Sequence, residues 1–195
     1  MIHHLTTHEY KVMPWKNGGG STTELAIFPP DSTVQSEFDW RISLADLEGS
    51  GPFSSFPGFD RSITQISGEP MTLRHTGRPD KLLARYEPYS FAGELATDCI
   101  LEGRAQDFNV MTRRGLAATV ESVTIETEPL RRVHKSGTTF IWVAFGSVLL
   151  HESSKGHDHR LDLHHAFEIT GDYESVMTLK PREPDTLVFF VTIAP

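Results

Sequence analysis

The chain has a single cysteine, Cys99, among its 195 residues. No intramolecular disulfide can form, which fits a reducing compartment and leads us to expect a cytoplasmic protein. Basic side chains are also sparse, eighteen against twenty-six acidic ones, for a formal charge of -8, and no Lys/Arg run exceeds two. Such a chain repels a phosphate backbone, so nucleic acid is not expected as a partner. Long apolar runs are missing too. The longest, Phe140 to Phe145 resuming at Val148 to Leu150, is too short to cross a bilayer. Met1 to Pro14 carries three histidines and no apolar run, so no signal peptide is expected there. Gly-x-Ser-x-Gly does not occur, and Cys99 sits among apolar neighbours with no motif around it. Nucleophilic schemes therefore have little to stand on.

What is present is alternation with period two. In Phe38-Asp39-Trp40-Arg41-Ile42-Ser43-Leu44-Ala45 the apolar side chains share one face, while Arg41 and Ser43 share the other. Similar runs fall at Ile63 to Ile66, Met71 to Leu73, Ala117 to Ile125, Thr139 to Phe145 and Leu187 to Ile193. Gly, Pro and Asp punctuate them, and no capped helix of three turns is evident. The class expected is all-β.

A faint repeat sharpens this. Ile63-Thr64-Gln65-Ile66-Ser67-Gly68 falls on Ile141-Trp142-Val143-Ala144-Phe145-Gly146, the glycines 78 residues apart. At the same offset Tyr89-Ser90-Phe91-Ala92-Gly93 falls on Phe167-Glu168-Ile169-Thr170-Gly171, and Leu101 on Leu179. Duplicated small barrels follow: one lobe over 1–114, a second over 115–195, packed as one compact unit. A single β-sandwich with regular turns is the competing reading.

Three groups of residues have the makings of a site. Met13-Pro14-Trp15-Lys16-Asn17-Gly18-Gly19-Gly20 has glycines that free backbone N–H groups toward an anion, with Lys16 and Asn17 as added donors. It lacks the Gly-Lys-Ser/Thr ending of a P-loop, and a plain turn is the alternative. Arginines next to aromatics form the second group: Arg41, Arg61 after Phe56-Pro57-Gly58-Phe59-Asp60, and Arg113, which shares a strand face with Asp107, Asn109 and Met111. Guanidinium forks grip carboxylates bidentately, although each arginine taken singly also suits a solvated strand face. The third is His157-Asp158-His159-Arg160-Leu161-Asp162-Leu163-His164-His165. His-x-His opens the ligand pattern of metal-binding cupins, but the Glu that should follow is replaced by Leu163 or His164. A solvated loop is therefore expected, with no metal and no cofactor.

Met13 to Gly20, Phe38 to Ser43, Gly51-Pro52-Phe53-Ser54-Ser55-Phe56-Pro57-Gly58-Phe59-Asp60-Arg61 and Asp107-Phe108-Asn109-Val110-Met111-Thr112-Arg113 occur in that order. Together they resemble the signature of the HutD/Ves family over nearly the whole chain. The resemblance implies a double-cupin (bicupin) fold and a part in bacterial histidine utilisation, restraining the pathway by binding an intermediate. Urocanate and N-formylglutamate are the natural candidates. It also implies a ligand pocket drawn from Trp15, Lys16, Asn17, Glu24, Trp40, Arg41, Arg61, Asn109 and Arg113. Family members often carry Arg where this chain has Thr23. The histidine run belongs to no family motif.

The function expected is thus a small-carboxylate-binding protein, with a homodimer left open. Its rivals are a metal-dependent cupin enzyme using His157, His159 and His164, and a protein that works by contacting another protein of the pathway. A ligand held by arginines alone should bind with little pH dependence between about pH 6 and 8, because neither partner titrates there.

Overall fold

The computed structural model describes residues 1–194. It is built from β-strands, with one 3-10 turn at Thr7–Glu9. In chain order the strands begin with β1 (Ile2–Leu5), β2 (Lys11–Pro14), β3 (Gly20–Phe28), β4 (Trp40–Leu47) and β5 (Gly51–Pro52). Next come β6 (Phe59–Gly68), β7 (Thr72–His75), β8 (Lys81–Leu82), β9 (Tyr89–Ala92), β10 (Thr97–Ile100) and β11 (Ala105–Arg113). The remainder are β12 (Ala117–Ile125), β13 (Leu130–His134), β14 (Thr138–Phe145), β15 (Val148–Glu152), β16 (His157–Leu161), β17 (Ala166–Thr170), β18 (Ser175–Pro181) and β19 (Thr186–Ala194).

They form two compact units. One spans Tyr10–Gly115; the other joins Leu116–Pro195 with Met1–Glu9. The first nine residues thus leave the lobe to which sequence assigned them. Their strand β1 pairs antiparallel with β17, His4 opposite Phe167, because β17 would otherwise be an open edge.

In the Tyr10–Gly115 unit a six-stranded sheet, β2-β3-β4-β11-β6-β9, faces a four-stranded one, β5-β10-β7-β8. Ala45, Leu47, Ile63, Phe91 and Ala105 from the first interdigitate with Leu73 and Cys99 from the second and with Met71 and Leu101, which flank its strands β7 and β10. In the other unit β1-β17-β14-β19-β12 faces β13-β18-β15-β16. Its core is Ile141, Val143, Phe167, Val188 and Phe190 against Val148, Leu150, Met177 and Leu179. These are jelly-roll lobes, layered rather than closed hydrogen-bonded cylinders, and the whole is a double cupin.

The faint sequence repeat becomes a topological one. The order β4-β11-β6-β9 in one lobe matches β12-β19-β14-β17 in the other, and β5-β10-β7-β8 matches β13-β18-β15-β16. Gly68 and Gly146 end the equivalent strands β6 and β14 at φ +85 and +76, a region L-residues avoid. At Gly68 a Cβ would also lie 2.2 Å from the Arg104 carbonyl.

Glu152, fully buried, ties the β15–β16 turn to β18. Its carboxylate accepts from the amides of Ser154 (2.6 Å) and Lys155 (3.1 Å) and from the Ser175 hydroxyl. Burial alone would raise its pKa, but these bonds outweigh it and bring the group down to about 2.

Candidate functional site

Strand register places the site residues in rows across the six-stranded sheet. Ile27, Arg41, Met111, Arg61 and Phe91 stand side by side on β3, β4, β11, β6 and β9. The next row on that face is Glu24, Ser43, Asn109, Ile63 and Tyr89; the one after holds Ala45, Asp107 and Gln65. A register shift between Glu24 and Ala26 keeps Glu24 and Ile27, three residues apart, on one face. This face carries Ala45 and Ile63 into the core, so the polar side chains beside them point into the lobe.

Arg41 and Glu24 are both buried and form an ion pair, Nε to Oε2 at 2.8 Å. Lys11 Nζ stands 4.0 Å from the other Glu24 oxygen and is largely exposed. Arg41 is therefore neutralised within the protein.

Arg61 is different. It is 7% exposed, and its guanidinium carbon sits 5.2, 5.7 and 5.4 Å from the ring centres of Phe53, Phe56 and Phe91. Its Nη1 donates to the Ser54 carbonyl at 3.3 Å, while Nε is buried without a hydrogen-bond partner. Among the described residues no carboxylate forms an ion pair with it. Burial draws its pKa down to about 10, with Asp107 opposing and Arg41 adding to the fall. It stays cationic at neutral pH, and three aromatic rings compensate it only in part.

Asp107 is the second unusual group. It is buried, its Oδ1 has no partner, and burial pushes its pKa up to about 7, Arg61 opposing and Asp46 adding. The Oδ1 of buried Asn109 is likewise unpartnered. Cys99, buried nearby, is pushed up to about 12 by burial and by Asp107, so it is an inert thiol.

The other nominated residues lie elsewhere. Trp40 is on the opposite face of β4 from Arg41, stacked on Phe28 with ring centres 5.8 Å apart, and supplies no wall for the arginines. Phe53, Phe56 and Phe91 fill that role instead. Arg113 is half-exposed at the end of β11. Its Nε lies 3.0 Å from Asp39 Oδ1 in an ion pair without hydrogen-bond geometry, and its Nη2 donates to the Phe38 carbonyl at 2.9 Å, so its charge is already balanced within the protein. The glycine-rich stretch is a hairpin turn: Trp15 and Gly20 close it (N to O 2.9 Å), and Asn17 Oδ1 accepts from the Gly19 amide at 3.0 Å. Lys16 and Asn17 are exposed, whereas half-buried Trp15 packs against the core and donates from Nε1 to Thr22 at 2.8 Å. An open depression of about 400 Å³ lined by Ser21, Asp46, Glu48, Ser67, Arg104 and Gln106 contains none of the nominated residues.

Sequence reasoning passed over Asp107, Phe53 and Phe56 as site residues, though all three stand inside the quoted motifs. Period two already placed Asp107 beside Asn109.

The histidine run resolves into strand β16 and the turn after it. His157 is exposed, His159 leans on Phe167 (4.9 Å between rings), and His164 stacks on Trp142 at 5.6 Å. His4 approaches His165, Nε2 to Nδ1 at 3.2 Å. Among the described residues no three His, Cys, Asp or Glu side chains are placed to hold a metal ion. Likewise no helix is long and apolar enough to cross a membrane.

A family model described as HutD matches residues 7–187. The chain belongs to the HutD family. Over 100% of both chains this HutD-family protein superposes on a conserved protein of unknown function from Pseudomonas aeruginosa PAO1, with a TM-score of 0.91 and 29% identity. HutD from Pseudomonas fluorescens SBW25, solved in a formate condition, gives 0.80 and 27% over 100% of both chains. An uncharacterized 21.2 kDa protein in the hutC 3' region of Pseudomonas putida is 40% identical over 108 residues, 55% of this chain and 56% of that one. Protein Ves of Citrobacter koseri is 40% identical over 102 residues, 51% and 52% of the two. The matches to these curated relatives span about half their length. A bacterial pirin from Escherichia coli, with a TM-score of 0.69 at 12% identity, shares the fold alone.

Proposed function

We propose that this protein binds a small carboxylate inside the Tyr10–Gly115 lobe and acts as a sensor of histidine utilisation, with urocanate or N-formylglutamate as its ligand. The observation that carries the reading is Arg61, a buried cation with one hydrogen bond to a carbonyl and no counterion, walled by three phenylalanines. A ligand carboxylate would supply that counterion and two charge-assisted hydrogen bonds. Arg41 adds positive potential nearby, and Asn109 adds a neutral partner. The link to histidine utilisation rests on family membership and on the hutC-region relative.

The experiment is calorimetric titration with urocanate, N-formylglutamate, histidine and glutarate. At least one pathway acid should bind to one site per chain, and Arg61→Met should weaken it by about tenfold or more. Absence of binding by every acid would remove the proposal, and unchanged affinity in Arg61→Met would move the site.

A further inference from the structure

The four sheets leave eight edge strands among the described residues, and seven of them are guarded. β1, β2, β5, β8, β9, β13 and β16 run only two to five residues each. Pro14 and Pro52 stand on β2 and β5, and Lys11, Lys81, Arg131 and Arg160 on β2, β8, β13 and β16. Shortness, proline and charge are the devices that keep a sheet edge from pairing with another chain.

β12 is long, proline-free and almost uncharged. Its nine residues, Ala117-Ala118-Thr119-Val120-Glu121-Ser122-Val123-Thr124-Ile125, include no Pro, Gly or Lys, and Glu121 is the one charge. It pairs with β19 at nine successive positions with no bulge. Ala117, Ala118, Thr119, Glu121 and Thr124 are exposed. The duplication shows what such a strand is built to accept. β4, the counterpart of β12, carries on its outer side β3, also nine residues long and antiparallel to it. β12 ends its sheet, and no strand of the described residues takes the place of β3 there.

We propose that a second copy of this chain takes that place, the two β12 strands pairing edge to edge about a twofold axis. This inference stands apart from the carboxylate reading. A twofold axis normal to the sheet makes the added strand antiparallel, as β3 is to β4. It also limits the register. Glu121 opposite its own copy would set like charges against each other. With Val120 on the axis, Val120 meets Val120 and Thr119 meets Glu121, so the β-branched pair packs and the lone carboxylate faces a hydroxyl. Each copy uses its one long edge, so the assembly closes at two instead of growing.

The test is sedimentation of the full chain between about 1 and 100 μM, where the unmodified protein should pass from monomer toward dimer. Thr119→Glu sets a like charge against the partner's Glu121 twice per dimer and should weaken it about tenfold. Adding Glu121→Lys turns both contacts into ion pairs and should restore it. Both positions are exposed, and urea midpoints close to that of the unmodified chain check that the fold holds. Cross-linking gives a second readout. On the axis, Val120→Cys faces its own copy across about 4.5–5.5 Å between Cα atoms, within disulfide reach, whereas Glu121→Cys lies diagonally and should not link. Cys99 is buried and does not compete. A chain that stays monomeric throughout overturns the inference. So does a dimer whose affinity is unchanged in Thr119→Glu, and so does cross-linking at Glu121→Cys in preference to Val120→Cys.

Discussion

Nε of Arg41 donates to Oε2 of Glu24 at 2.8 Å, and both side chains are buried. Twenty residues further along, Arg61 is buried to the same degree with no such partner. The two arginines occupy one row of the sheet, separated only by Met111, about 10 Å apart at the backbone. The fold thus gives Arg41 a buried carboxylate partner and leaves Arg61 without one.

Glu24→Ala should destabilise the protein by about 3–5 kcal/mol, because it strands the Arg41 charge in the interior. Lys11 is a cation and cannot compensate. Urea unfolding measures this. A loss under about 1 kcal/mol would mean that water reaches Arg41 and that the pair is weaker than its burial implies.

Arg61→Met and Arg113→Ala should separate. The first removes an uncompensated buried cation, so stability holds or rises while ligand affinity falls about tenfold to a hundredfold. The second breaks the half-exposed pair with Asp39, costs about 0–1 kcal/mol, and leaves affinity nearly unchanged. Equal losses of affinity in the two variants would return Arg113 to the site.

Asp107 should make stability fall with rising pH. Its carboxyl titrates near 3.8 when unfolded and at about 7 in the folded lobe. Its stabilising contribution is complete below about pH 4 and is lost as pH climbs through about 7, on the order of 4 kcal/mol in all. Asp107→Asn should flatten that interval and be the more stable protein at pH 8. Chemical denaturation of both proteins between pH 5 and 8 decides it, and parallel curves would count against the shift.

Glu152 acts in the opposite direction. Held at about 2 in the fold against 4.5 unfolded, it contributes fully above about pH 4.5 and loses that contribution as pH falls toward 2. Glu152→Gln should therefore cost stability at pH 7, roughly 3 kcal/mol, and much less near pH 2. Equal cost at both values would argue that packing, rather than charge, is what the substitution removes.

Ligand affinity should not be as flat with pH as arginines alone would make it. Asp107 titrates at about 7 and acts on Arg61, so a simple dicarboxylic acid should bind more tightly at about pH 6 than at about pH 8. Glutarate titrated at both values, at fixed ionic strength, provides the measurement. A flat profile would place Asp107 outside the ligand's reach.

Period-two alternation and turn glycines were enough, from sequence, for an all-β chain. The 78-residue offset between Gly68 and Gly146 reads as a duplication, and the matching strand orders of the two lobes bear it out. Alternation also set Arg41 opposite Trp40 and put Asp107, Asn109 and Met111 on one face, because a strand sends successive side chains to opposite sides whatever surrounds it. What alternation lacks is any knowledge of what lies across the sheet. Both faces of β4 are buried, so polarity could not say that Arg41 rather than Trp40 looks into the lobe with Arg61. The Glu24 partnership needed an irregularity in β3, Arg113 was taken by Asp39 at a strand end, and β1 crossed the chain to close an edge at β17. Those outcomes depend on long-range register and on which edge is left open, and the chain resolves them only when its strands meet.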